Sequence, residues 1–179
     1  GPTPGPVLSH AYIWDGEMRD LGTLPGHTLS VANDINDKGE IVGFSGPRAA
    51  LWRSDGTVLD LGTLTGGPFF AVAYGVNARG RAVGISLSRS GPPHAFVWNE
   101  GEMTDLGTLG GATSLAADIN NAGLIVGQSG TASNQGHAVV WEDGRPTDLH
   151  VEGYNGSSAT RVNERGDILG SLQIGNATY

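Results

Sequence analysis

The sequence predicts an all-β fold, a β-propeller of four-stranded antiparallel blades built from four copies of one unit of about 43 residues. Three observations carry this expectation. The four Trp residues fall at 14, 52, 98 and 141. Asn36, Asn77, Asn120 and Asn163 recur 41, 43 and 43 residues apart. Each Asn is followed three places on by Gly39, Gly80, Gly123 or Gly166, and then by Gly43, Gly84, Gly127 or Gly170. Asp-Leu pairs at Asp20-Leu21, Asp60-Leu61, Asp105-Leu106 and Asp148-Leu149 complete the frame. A period of this length, with Gly and Asn punctuation, is the sequence signature of propeller blades.

Each unit contains four strand-like runs. In the third they are 94–98 (HAFVW), 103–106 (MTDL), 113–120 (TSLAADIN) and 124–129 (LIVGQS). All are short, rich in β-branched or aromatic residues, and bounded by Gly, Asn or Asp. Asn-x-x-Gly suits a hairpin whose Gly is left-handed. Asp15-Gly16, Asp55-Gly56, Glu100-Gly101 and Asp143-Gly144 mark a second tight hairpin. The runs are apolar on both faces, which a lone sheet cannot bury and radial stacking can. A parallel β-solenoid is the rival architecture, but its coils are shorter.

The whole of 1–179 reads as a single repeat domain, with units at approximately 10–48, 49–93, 94–136 and 137–179. The first half-unit is complementary to the last, so pairing them would close a ring and remove the exposed edges. Closure within one chain predicts a four-bladed monomer, and closure between two predicts an eight-bladed dimer. A piece of a longer array is the third reading.

Composition excludes several function classes. The 30 Gly and 9 Pro are spread along the chain, as tight turns require, and no apolar run reaches membrane-spanning length. The net charge is −8 with only ten scattered Lys and Arg, so neither nucleic acid nor membrane insertion is expected. Cysteine is absent, which removes disulfides and thiolate metal sites. The chain opens on Gly1-Pro2 without a Met, so the lack of a signal peptide does not bear on compartment.

The string HAFVW, then GEMTDLGTLGG, then SLAADINNAGLIVGQS, at 94–129, resembles the HAF repeat of bacterial extracellular proteins. The other units keep parts of it. The first has His10-Ala11-Tyr12, the fourth His137-Ala138-Val139, and the second begins Ala49-Ala50-Leu51 without the His. The fourth also replaces Gly-Thr-Leu by His150-Val151 after Asp148-Leu149. The resemblance implies a repeat architecture and a secreted protein, but no reaction.

His10, His94 and His137 open the third strand of separate blades, too far apart to share one ion at the ~2 Å of imidazole ligation. With Ser45, Ser86, Ser129, the Trp and the Asp, they resemble the hydrogen-bonded network of tryptophan–aspartate repeat propellers, a structural role. The stretch Asp34 to Glu40 has the outline of a calcium loop, but offers Lys38 where the fifth position wants an oxygen ligand and Ser45 where the twelfth wants a bidentate Glu, and reads as a turn. No metal or cofactor is expected. No Gly-x-Ser-x-Gly, His-Glu-x-x-His or phosphate loop is present.

Residues shared by all units maintain the blade, so the positions where the units differ are the candidates for function. The loops leading into the strand nearest the axis read Pro25-Gly26-His27, Gly66-Gly67-Pro68-Phe69-Phe70, Gly110-Gly111-Ala112 and His150 to Tyr154. One inner-strand position carries Asp34, Gly75, Asp118 and Arg161 in turn. Two accounts fit. In one, Arg161 forms a salt-bridged plug with the two Asp, while Phe69 and Phe70 fill the gap left by Gly75. In the other, an axial pocket formed by His27, Asp34, Phe69, Phe70, Tyr74, Asp118, His150, Tyr154 and Arg161 binds a ligand. The expected function is a non-catalytic binding or scaffold module for a small molecule, carbohydrate or protein. The alternative is a small hydrolase or lyase using His, Asp and Arg of that pocket.

Overall fold

A computed structural model describes residues 9–67, 69–89 and 91–175. Pro68 of the second lead-in loop and the outermost residues of the expected domain lie outside the described residues. Sixteen strands and no helix occur among those described. In chain order they are β1 (Tyr12–Trp14), β2 (Met18–Asp20), β3 (Ser30–Ile35), β4 (Ile41–Ser45), β5 (Arg48–Trp52) and β6 (Val58–Gly62). Then come β7 (Ala71–Val76), β8 (Ala82–Leu87), β9 (Pro93–Asn99) and β10 (Glu102–Asp105). The last six are β11 (Gly110–Ile119), β12 (Ile125–Thr131), β13 (Gly136–Glu142), β14 (Arg145–Asp148), β15 (Gly156–Val162) and β16 (Ile168–Gln173).

Each hydrogen-bonded sheet is an antiparallel meander in chain order. Sheet I is β3 to β6, sheet II β7 to β10 and sheet III β11 to β14, flanked by the two-stranded half-sheets β1–β2 and β15–β16. The sheets are half a period out of phase with the sequence units. Residues 94–98 and 103–106 form the outer half of sheet II, whereas 113–120 and 124–129 belong to sheet III. The two half-sheets are separate, so the expected pairing between them is not made within the chain.

Turn chemistry explains the first hairpin of every sheet. The Asn120 Oδ1 accepts from the Gly123 and Leu124 N–H groups at 3.0 Å, and its carbonyl accepts from Gly123 N–H at 3.0 Å. Gly123 sits at φ 96°, where a side chain is strained. The other recurrent Gly has a different reason to exist. Every inner strand carries a bulge, at 33, 74, 117 and 160, just before the variable position. Beside it, a Cβ added at Gly84 would lie 1.9 Å from the Val72 carbonyl oxygen. Gly43, Gly127 and Gly170 meet the same obstruction at 1.9–2.0 Å. Strand two must therefore be bare at that point for strand one to cross it.

The core lies between sheets. Val42, Leu51 and Leu61 of sheet I pack with Ala73, Phe96 and Trp98 of sheet II. Val83, Ala95 and Leu106 of sheet II pack with Ile125, Val139 and Trp141 of sheet III. Ala11 and Leu24 meet Ile41 and Trp52 in the same manner, and Val126 and Ala138 meet Ala159. Central strands are thereby covered on both faces, which is why β4 and β8 read as almost continuous apolar runs. No helix among the described residues is long and apolar enough to cross a membrane.

Candidate functional site

The repeated polar residues form two separate kinds of bond. His10, His94 and His137 each place Nδ1 2.8–3.0 Å from the carboxylate of Asp20, Asp105 or Asp148, across the outer strand pair. In sheet I, Arg48 occupies the His position, opposite Ser45, and holds Asp60 at 3.0 Å. The Ser residues cap backbone from the neighbouring unit. Ser45, Ser86 and Ser129 accept from Leu24, Leu64 and Leu109 N–H, and Ser30, Ser114 and Ser157 from Ala11, Ala95 and Ala138 N–H. The indole Nε1 of Trp52 and Trp141 is buried without a hydrogen bond. The expected His-Ser-Trp-Asp network is thus divided, because the indole lies in the apolar layer between sheets while the His faces its Asp.

These contacts set the carboxylate electrostatics. The His10 hydrogen bond is the main cause that holds Asp20 below the ordinary carboxyl value, assisted by Gly22 N–H. For Asp148, burial pushes upward but is outweighed by His137, by the His150 N–H and by the charge of both rings, so its value is also lowered.

The expected axial residues fall into two tiers. Asp34, Gly75, Asp118 and Arg161 occupy one register position of the inner strands, opposite Val42, Val83, Val126 and Leu169. Asp34 Oδ2 accepts from Val76 N–H at 2.8 Å, and Asp118 Oδ2 from Val162 N–H at 2.8 Å, so each Asp ties its strand to the next. Burial raises the Asp34 carboxyl above its ordinary value, with the like charge of Asp118 adding and Arg161 opposing. Arg161 is exposed and donates to the Thr160 carbonyl, with no ion pair to either Asp among the described residues. Tyr74 is the bulge residue of β7, and burial raises its phenol.

The second tier is the lead-in loops. Each paired residue along a strand adds ~3.3 Å, and with the bulge absorbing one residue the three paired steps from Ser30 to Asp34 separate the tiers by roughly 10 Å. His27 Nδ1 approaches Ser45 Oγ at 3.3 Å, while His150 Nδ1 lies 2.9 Å from Ser157 Oγ and its ring stacks on His137 at 3.9 Å. Phe69 and Phe70 are 50% and 47% exposed, and Tyr154 is half-buried in the turn before β15. The two Phe do not fill the space over Gly75. Asp118 does, its Cα lying 3.2 Å from where a Cβ would stand.

Cavities run along the seams between sheets. One of about 730 Å³ between sheets II and III is lined by Arg79, Arg81, Glu102, Trp141 and Asp143. A smaller one, about 150 Å³, lies on the Asn row and is lined by Asn36, Asn77, Asn121 and Glu164. Neither contains the nine residues expected at the axis. No three His, Asp or Glu converge on a point that would hold a metal, among the described residues. Sequence reasoning missed Arg48 as the stand-in for His and the inter-unit role of the Asn. The 41–43 residue spacing was the available signal for the latter. No family model matches the chain, and no curated protein is significantly similar to it.

Proposed function

We propose that this protein is a non-catalytic binding or scaffold module, its sheets set radially as propeller blades, that recognises a carbohydrate or a protein through its lead-in loops. The observation that carries this reading is the pair Phe69 and Phe70. Both are half-exposed, they are adjacent, and they stand where the next unit has Ala112-Thr113. Exposed aromatic rings beside one another supply flat apolar contact at small entropic cost, as binding surfaces require. Val151 and Tyr154 extend the apolar character of that loop set in the fourth unit.

The bonding of the repeated polar groups supports the non-catalytic half of the reading. The His spend Nδ1 on an Asp, and the Ser hydroxyls are occupied by backbone N–H groups. Face-to-face packing of successive four-stranded meanders supports the radial arrangement. Secretion is proposed on the motifs at 94–129.

A glycan array and a titration against immobilised candidate proteins, run with wild type and Phe69→Ala/Phe70→Ala, test the site. A tenfold or greater loss of any detected binding is expected. Binding that survives the double change places the ligand elsewhere. Turnover of glycosides or esters that is abolished by His150→Ala or Arg161→Ala would overturn the non-catalytic reading.

A further inference from the structure

Three side chains cross sheet II in one row at its hairpin end. Asn99 pairs with Glu102 between β9 and β10. The register Ala82↔Trp98 between β8 and β9, carried one residue outward, sets Arg81 opposite Asn99. The row therefore runs from a cation beside the second strand to a carboxylate on the fourth. Two strand spacings of ~4.8 Å hold their backbones about 10 Å apart. The same row reads Glu40, Arg53 and Thr57 in sheet I, and Leu124, Glu142 and Arg145 in sheet III. This order of charges is peculiar to sheet II, and positions where units differ are free to serve something other than the blade.

The hairpin makes no use of the cation. In sheet I, Glu40 accepts from the Asn36 amide at 2.7 Å. Arg81 has no acceptor to offer Asn77, and its guanidinium lies across the seam, with Nη1 2.8 Å from where a Cβ on Gly123 would stand. Among the described residues, neither Arg79 nor Arg81 nor Glu102 makes an ion pair or a side-chain hydrogen bond. All three line the cavity of about 730 Å³ between sheets II and III, whose buried lining is Leu106, Ile125 and Trp141. That size is within the range of ligand pockets. Trp141 in this lining has a buried indole N–H without an acceptor.

We propose that this seam is a binding site for a short zwitterionic peptide, its carboxylate on Arg81 and its ammonium on Glu102. The site lies at the opposite end of the strands from Phe69 and Phe70 and does not depend on them. Three extended residues span about 10 Å, the separation of the strands that carry the two charges. A carboxylate on a guanidinium gains paired, charge-assisted hydrogen bonds, and Arg79 adds positive charge on the same side. A peptide carbonyl between the termini is an acceptor for the Trp141 N–H, and an apolar central side chain meets Leu106 and Ile125.

Calorimetric titration of the whole chain with the tripeptide Gly-Leu-Gly should show one site with Kd below about 1 mM. Its N-acetylated and C-amidated forms each lack one charge and should bind at least tenfold more weakly. Arg81→Gln should weaken the unblocked peptide by the same factor. Glu102→Gln, at an exposed position, should do so too and serves if the first variant does not fold. Phe69→Ala/Phe70→Ala should leave the affinity unchanged, which separates this site from the lead-in loops. No saturable binding at millimolar peptide overturns the proposal, as does binding that survives blocking of the termini or both charge substitutions. Acetate binding as tightly as the peptide would mark an anion site alone and also overturns it.

Discussion

The side-chain amide of Asn77 donates to the main-chain carbonyl of Asn120, 3.1 Å away and 43 residues further along the chain. Asn36 makes the same bond to Asn77 at 2.9 Å, and Asn120 to Asn163 at 3.0 Å. One residue type therefore closes its own hairpin and fastens that hairpin to the next sheet. In Asn120 the amide nitrogen and oxygen are both used, and the residue is buried.

Asn120→Ala should accordingly cost about 1–3 kcal/mol, since it takes the side-chain acceptor from the part-buried Leu124 N–H and the donor from the Asn163 carbonyl. Asn163→Ala, at an exposed hairpin where the amide donates to Asp167 in its own turn, should cost less than about 1 kcal/mol. Urea denaturation midpoints of the two variants check the order.

Gly84→Ala should destabilise by about 3 kcal/mol or more, because the added methyl would meet the Val72 carbonyl oxygen at 1.9 Å and strand β7 cannot move away without breaking its ladder. Gly101→Ala has open space around it and only a left-handed backbone (φ 97°) to strain, so about 1 kcal/mol is expected. Thermal unfolding of the pair separates the two mechanisms.

Asp34 gives a pH dependence of known sign. Its folded carboxyl lies above the ordinary 3.8, so the unfolded chain releases the proton first as pH rises. The favourable contribution is complete below 3.8 and is lost as pH rises through the folded value. Asp34→Asn keeps an acceptor for Val76 N–H without burying a charge. Its stability at neutral pH should equal or exceed wild type by less than about 1 kcal/mol, given the partial exposure of the group. Asp34→Ala orphans that N–H and should lose about 1–3 kcal/mol. Urea titrations between acid and neutral pH compare the three.

Asp148 behaves oppositely. Its folded value lies below 3.8, so its stabilisation is present above 3.8 and is lost as pH falls through the folded value. Asp148→Asn should cost under about 1 kcal/mol at neutral pH, since the carboxylate is 42% exposed, and nothing once wild-type Asp148 is protonated. The same titration reads this difference.

Much of the fold was legible in the sequence. Trp at 14, 52, 98 and 141, the Asn-x-x-Gly hairpins and the Asp-Leu pairs identify a repeated, all-β, four-stranded unit, because turns and alternating apolar runs are local properties. The candidate site was less legible. Asp34 and Asp118 look like variable charges until the structure shows them accepting from Val76 and Val162 N–H on the next strand. Arg48 reads as a missing His until β4 and β5 are paired.

The amino-acid order alone determined the period, the strand class and the places where the units disagree, since each depends on residues within one hairpin. Tertiary structure decided the rest. It made Gly84 obligatory through a carbonyl 1.9 Å from its Cβ position, and gave the space over Gly75 to Asp118. It also left Trp14 and the edge of β16 apart, at opposite ends of the stack of seams. Those outcomes turn on distances between segments some forty residues apart, which spacing along a chain does not contain.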